Sequence, residues 1–175
     1  MKTSTEPTQG NHQTATARGA KNPRTASPGA PDLTKRPPRS PRTRLGGYAL
    51  LARMLDKGRA TLAGMNGEYH YNCPLDQRWV GYAGIDPKRL LAELKKGKGD
   101  GEILEWIQTN AKNKRAPWEI QQWSNYMDRR GPDSDAETFG FFANYVSKIS
   151  KTREDITTWA DLLDLDDFVS FGGKP

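Results

Sequence analysis

The sequence predicts a mainly α, compact single domain of about six helices, with one irregular loop and a disordered N-terminal tail. Three observations lead there. From Leu45 onward the apolar residues recur at three- and four-residue spacing, the period of a helix with one buried face. Asp, Pro and Thr stand where that period restarts, and these are residues that begin helices. No run alternates apolar with polar residues as a sheet would, and no unit repeats at about 20–50 residues.

Size and composition bound the rest. A chain of 175 residues is long enough for one domain and too short for two ordinary ones with linkers. Hydrophobic residues make up 34% and charged residues 27%, and no apolar run is long enough for a membrane span, so no membrane partner is expected. The single cysteine, Cys73, excludes an intrachain disulfide scaffold. The opening MKTSTEPTQG lacks the apolar stretch of a secretory signal, which makes the expected location cytoplasmic.

Residues 1–31 contain no Leu, Ile, Val, Phe, Tyr or Trp and cannot bury enough apolar surface to offset their chain entropy, so they are expected to be a disordered basic tail. The domain is expected over 32–175. Its lead-in, residues 32–44 (DLTKRPPRSPRTR), carries Pro37, Pro38 and Pro41, which forbid a helix and favour extended backbone. A first helix is expected from about Gly47 to Leu62, with Tyr48, Leu51, Met54, Leu55 and Leu62 on its apolar face and Arg53, Asp56 and Lys57 on its solvated one. Residues 64–78 break the period. Asn66-Gly67 signals a turn, and Glu68–Tyr71 has the composition of a short extended piece. Asp86-Pro87 then opens a helix through Leu90, Leu91 and Leu94, and Asp100 caps one with Ile103, Trp106 and Ile107. Pro117 opens the next through Ile120, Trp123 and Met127. Asp135 caps one with Phe139, Phe142 and Val146, and Thr158 caps the last, with Leu162 and Leu165.

The net charge of +6 is unevenly spread. Residues 1–45 hold nine Lys and Arg against two acids, whereas 46–175 hold 18 against 19. Glu154 to Asp167 holds six acids and no Lys or Arg. The basic segment therefore has an intramolecular counterpart, and its docking on the acidic C-terminal helix is one expectation. The other is contact with nucleic acid or an acidic partner through Lys35, Arg36, Arg39, Arg42 and Arg44, without base stacking, since the arm has no aromatic residue.

Several chemistries lack their motif: there is no GxGxxG after a strand, no phosphate loop, no HExxH, no CxxC and no GxSxG. No cofactor and no metal site is predicted. The densest chemical patch is Glu68–Asp76. His70 is the only imidazole outside the tail and the simplest general base near neutral pH, and Cys73 lies three residues on. The pair reads either as a nucleophile with its base, or as a hydrogen-bonded loop histidine beside a small buried cysteine. Tyr69 and Tyr71 would line a pocket there. Arg59 and Asp56, three apart, read as an anion grip or as a structural ion pair. Of the five tryptophans, Trp118 falls off its helix's apolar stripe and is expected to line a groove, while the others are at core spacing.

The strings DLTKRPPRSPR, RLGGYALLARMLDKGRATLAG, NGEYHYNCPLDQ, KGDGEILEWI and DLLDLDDFVSFGGK, in that order, resemble a bacterial, mainly helical family classed as domain of unknown function 5069. The resemblance covers about Asp32 to Lys174 and leaves the tail outside. It implies a single helical domain and brings no reaction, cofactor or catalytic residue. It also implies that the Pro/Arg lead-in packs on the domain.

Three functional expectations follow. The first is a domain binding a small anionic ligand or a protein partner, its pocket formed by the 68–76 loop against the first helix, with Arg59 as the anion grip, Tyr69, His70 and Tyr71 as lining, and Asp56 and Trp118 also among the ligand-binding residues. The second is an enzyme using His70 and Cys73. The third is an accessory protein acting through its basic arm. Exposed aromatics on a helical body also suit a homodimer.

Overall fold

A computed structural model describes residues 29–175. The expected disordered tail therefore lies outside the described residues as far as residue 28, and packing begins earlier than expected, since Pro31 is buried. Seven helices form among the described residues: α1 Leu51–Ala63, α2 Pro74–Ala83, α3 Pro87–Lys95, α4 Asp100–Asn110, α5 Pro117–Arg129, α6 Ala136–Ile149 and α7 Trp159–Ser170. No strand forms among them, and one isolated antiparallel bridge joins Leu45 and Tyr48. None of the helices is long and apolar enough to cross a membrane.

The helix beyond the expected six is α2. The irregular loop ends at Cys73 because Pro74 takes the first helical position, after which Leu75, Trp79 and Ala83 share a face. The short extended piece at Glu68–Tyr71 does not form. Residues 64–73 run as successive turns, with Gly64, Gly67 and Asn72 left-handed and the Tyr69 N–H donating to the Asn66 carbonyl at 2.9 Å. Asp86, Asp135 and Thr158 cap their helices through side-chain oxygens. Asp100 does not cap: it is the first residue of α4, and its expected place is taken by Gly99, whose N–H donates to Glu102 at 2.8 Å.

α1 begins at Leu51, later than the expected Gly47. Gly46 and Gly47 are left-handed and close a tight turn in which Leu45 and Tyr48 exchange backbone hydrogen bonds. Leu50 is itself left-handed, at φ 67°, which costs a leucine about 1–2 kcal/mol. It is pinned on both sides. Its N–H donates to the Pro41 carbonyl at 2.9 Å, and the Ala49 N–H donates to the buried Ser124 hydroxyl at 3.0 Å.

Every residue of α1 from Leu51 to Ala60 is buried. The expected solvated face of Arg53, Asp56 and Lys57 is therefore an interior one, covered by the lead-in, α2 and α7, while Leu62, expected in the core, is 41% exposed at the helix end. Leu51, Met54 and Leu55 pack with Trp79, Leu90, Ile103, Ile107 and Met127, and the Tyr48 ring meets Trp79 edge-on at 5.8 Å. A smaller cluster of Phe142, Ile156, Leu162 and Leu165 joins α6 to α7.

The lead-in is a strap folded by two turns rather than one extended run. Leu33, Pro38 and Pro41 are buried. The Arg39 guanidinium holds both oxygens of Asp56 at 2.8 and 2.9 Å and reaches Asp100 at 2.7 Å. Arg42 bonds Asp161 and reaches Asp164 at 2.5 Å, so the basic segment does sit on the acidic C-terminal helix. Arg44 reaches Asp128 at 2.6 Å.

Burial pushes the Asp100 carboxyl up, but the hydrogen bond from Arg39 and the charges of Arg39 and Arg59 outweigh it, and its pKa lies below the ordinary 3.8. Asp161 behaves alike: desolvation is outweighed by hydrogen bonds from Thr158 and Arg42. A carboxyl whose folded pKa is depressed contributes stability above its unfolded value and loses it as pH falls through the folded one. The share of the urea midpoint that these two carboxyls contribute should hold down to about pH 3.8 and be lost below it, and Arg42→Ala should start less stable at neutral pH and lose less on acidification.

Two glycines should respond oppositely. A Cβ on Gly58 would stand 2.7 Å from Leu94 Cδ1 and 3.1 Å from the Tyr71 ring, whereas one on Gly140 would meet nothing within 4 Å. Gly58→Ala should cost about 1–3 kcal/mol through overpacking. Gly140→Ala should stabilise by about 0.5–1 kcal/mol through helix propensity, both read by chemical unfolding.

Candidate functional site

Two cavities of similar size flank the first helix and the turn before it, and a shallower third, about 630 Å³, opens between α6 and residues 150–156. One, about 550 Å³, lies between the Gly46-Gly47 turn, α4 and α5. Its cations are engaged: Arg44 pairs with Asp128, Lys114 donates to the carbonyl of Thr109 at 3.0 Å, and Arg115 stacks over Tyr82 at 4.6 Å. None of the buried polar atoms left without a partner belongs to its walls.

The other, about 590 Å³, lies between α1 and the 67–73 turns, with the strap at one edge and α6 and α7 closing it. Arg53 and Lys57, four apart on α1, face it together with Tyr69, His70, Cys73 and Asp76, and Leu50, Leu75, Tyr145 and Phe171 supply apolar wall. Lys57 is 4% exposed and Asp76 2%. The Lys57 ammonium donates to Asp76 Oδ1 at 2.8 Å and to Cys73 Sγ at 3.2 Å. Asp76 Oδ2 is buried with no partner. Such an atom is rare in a folded protein and costs about 1–3 kcal/mol.

The wall toward α7 is a second paired system. Arg53 holds Asp167 with two hydrogen bonds, at 2.6 and 3.0 Å, and lies over the Tyr69 ring at 5.4 Å. The Tyr69 hydroxyl donates to Asp167 at 2.7 Å. Burial, then that hydrogen bond to a carboxylate, pushes the Tyr69 phenol up, so it stays a donor. Burial and the neighbouring Asp167 charge raise the Asp166 carboxyl above the ordinary range.

The structure gathers only part of the sequence-derived set here. Tyr69, His70 and Cys73 line the cavity. His70 is exposed, and no hydrogen bond joins it to Cys73 among the described residues. Tyr71 turns away: its hydroxyl donates to the Pro87 carbonyl at 2.8 Å. Asp56 and Arg59 do not pair with each other. Asp56 is clamped by Arg39. Arg59, 6% exposed, lies 2.8 Å from Asp100 at an angle too oblique for a good hydrogen bond, donates to the Lys98 carbonyl, and borders a separate recess of about 310 Å³. Trp118 is 61% exposed on α5 and outside the walls of these cavities. Of the five arm cations, Arg39, Arg42 and Arg44 face internal carboxylates, and Lys35 and Arg36 are exposed. No cluster of three or more His, Cys, Asp or Glu is placed to hold a metal among the described residues.

Sequence reasoning missed Lys57, Asp76 and Arg53. Asp76 stands in the first turn of a helix read as loop. Periodicity puts Arg53 and Lys57 with Asp56 on a solvated face, although their i, i+4 spacing signals that both look the same way.

The family model described as Domain of unknown function (DUF5069) matches residues 35–169, and the chain belongs to that family. No curated protein matches it.

Removing one member of the inner pair tests its energetics. Asp76→Ala should cost about 3–5 kcal/mol in urea unfolding, because it leaves buried Lys57 without its partner. The double change Lys57→Met with Asp76→Leu should recover most of that loss.

Proposed function

We propose that this member of the DUF5069 family binds a small, uncharged polar molecule in the cavity between α1, the 67–73 turns and α7. The observation that carries the reading is Asp76. Asp76 lines the cavity, and one of its carboxylate oxygens is buried there without a hydrogen-bond partner from the chain. The volume of about 590 Å³ falls within the range of about 300–1,000 Å³ typical of small-molecule sites. Apolar wall from Leu50, Leu75 and Phe171 beside a few fixed polar groups is the usual make-up of such a site. Arg53 and Lys57 are already neutralised by Asp167 and Asp76, which favours an uncharged guest with a hydrogen-bond donor over the anion expected from Arg59. A partly exposed, unpaired thiol at the site suits a reducing compartment, and we place the protein in the cytoplasm on that ground.

Thermal unfolding of the full chain against a panel of small uncharged amides, esters and alcohols tests this. A binder at about a hundred times its Kd adds about 2.7 kcal/mol, a rise of about 5–10 °C in Tm for a domain of this size. Ser170→Trp, which narrows the rim, should abolish the rise while leaving the unliganded Tm within about 2 °C. A panel without a binder, or a rise that survives Ser170→Trp, would remove the cavity as the site.

A further inference from the structure

We propose that Cys73 is a covalent nucleophile for small amides and esters, with the buried Lys57–Asp76 pair as its proton carrier; this rests on the reading of the same cavity as a ligand site. Cys73 is the residue immediately before α2, partly exposed and on the cavity wall, so an electrophile in the cavity can reach it. Its sulfur is 3.2 Å from the Lys57 ammonium, which is held from behind by Asp76 at 2.8 Å. The order carboxylate, cation, sulfur repeats the orienter, base, nucleophile arrangement of covalent catalysis. His70, the base expected from sequence, is replaced in that role by Lys57.

Two further features point to an acyl substrate. The unpartnered Asp76 Oδ2 offers an acceptor to an amide N–H, independently of the cysteine. The first turn of α2, a helix of ten residues, begins with Pro74, which has no N–H, and no side chain caps it. The amides of Leu75 and Asp76 are left facing the helix N-terminal end, beside the nucleophile, where an oxyanion would develop.

The step balances with water alone. The thiolate of Cys73, the reactive form of a cysteine, attacks the carbonyl carbon. A C–S bond forms and the C=O π pair moves to oxygen. Collapse expels the amine or alcohol, which takes a proton from Lys57 Nζ. Water then adds to the thioester, returning a proton to Lys57. The C–S bond breaks, a carboxylic acid leaves and the thiolate is restored.

The test is p-nitrophenyl acetate with the full chain at neutral pH, followed by intact mass and by release of p-nitrophenolate. Cys73 should gain one acetyl group at least about tenfold faster than N-acetylcysteine at the same pH, with release continuing after the first equivalent. Cys73→Ser should abolish the burst. Asp76→Asn, which keeps the shape and removes the charge, should slow acetylation by at least about tenfold with an unchanged circular dichroism spectrum. Acetylation no faster than that of N-acetylcysteine, or acetyl found on lysine alone, overturns the proposal, and this comparison decides even where Asp76→Asn fails to fold. Ligand-induced Tm shifts in Cys73→Ser separate the two claims. A shift there with no acetylation in the wild type leaves the cavity standing and the nucleophile refuted; no shift in either protein together with no acetylation in the wild type refutes both.

Discussion

Four charged residues of α1 are buried, and each requires an opposite charge from another part of the chain. Arg53 takes Asp167 of α7, Asp56 takes Arg39 of the strap, Lys57 takes Asp76 of α2, and Arg59 takes Asp100 of α4. An unpaired charge in such a place costs several kcal/mol, whereas a well-paired one is close to neutral against an apolar replacement. These pairs therefore add little net stability. Their effect is selective: an arrangement in which any of the four partner elements is displaced leaves a charge uncompensated. The apolar side of α1 supplies the driving force through Leu51, Met54 and Leu55, and the charged side fixes what surrounds it.

The cavity is a by-product of the same constraint. Arg53 and Lys57 hold α7 and α2 at a distance set by two charged side chains rather than by interlocking apolar ones, and the space between is what remains. Among the described residues, two non-glycines are held at positive φ, Leu50 on the cavity wall and Asn72 next to Cys73. Backbone strain of this kind persists where the surroundings over-determine it, and it concentrates at functional sites. Here the hydrogen bonds from Leu50 to Pro41 and from Ala49 to Ser124 supply the over-determination.

Much of the architecture was legible. The caps Asp86, Asp135 and Thr158 and the N1 prolines Pro87 and Pro117 mark helix starts that form as expected. Pro74 carries the same signal, but Leu75 is the one apolar residue between it and Trp79, too few to show a helical period, so α2 was hidden within an apparent loop. The site suffered from that omission twice, since Asp76 lost its helical context and Cys73 its place at a helix start. The reading of α1 failed for a different reason. Periodicity separates apolar from polar faces, but burial of a polar face depends on counter-charges far along the chain, at Asp76 and Asp167, which no local pattern reveals. The complementarity of the basic lead-in and the acidic C-terminal helix was visible because it lies in blocks of charge, and it is realised through Arg42.

The strap contributes Leu33 and Thr34 to the cavity lining while its Arg39 and Arg42 hold it down on α1, α4 and α7. For the guest proposed above, seating of the strap and occupancy of the cavity would be thermodynamically linked. A guest that touches Leu33 or Thr34 favours the seated strap by the same factor by which the seated strap favours the guest. For such a guest, salt or acid that weakens the arginine contacts would lower affinity without acting on any atom of the guest, making the strap a lever on the contents of the cavity.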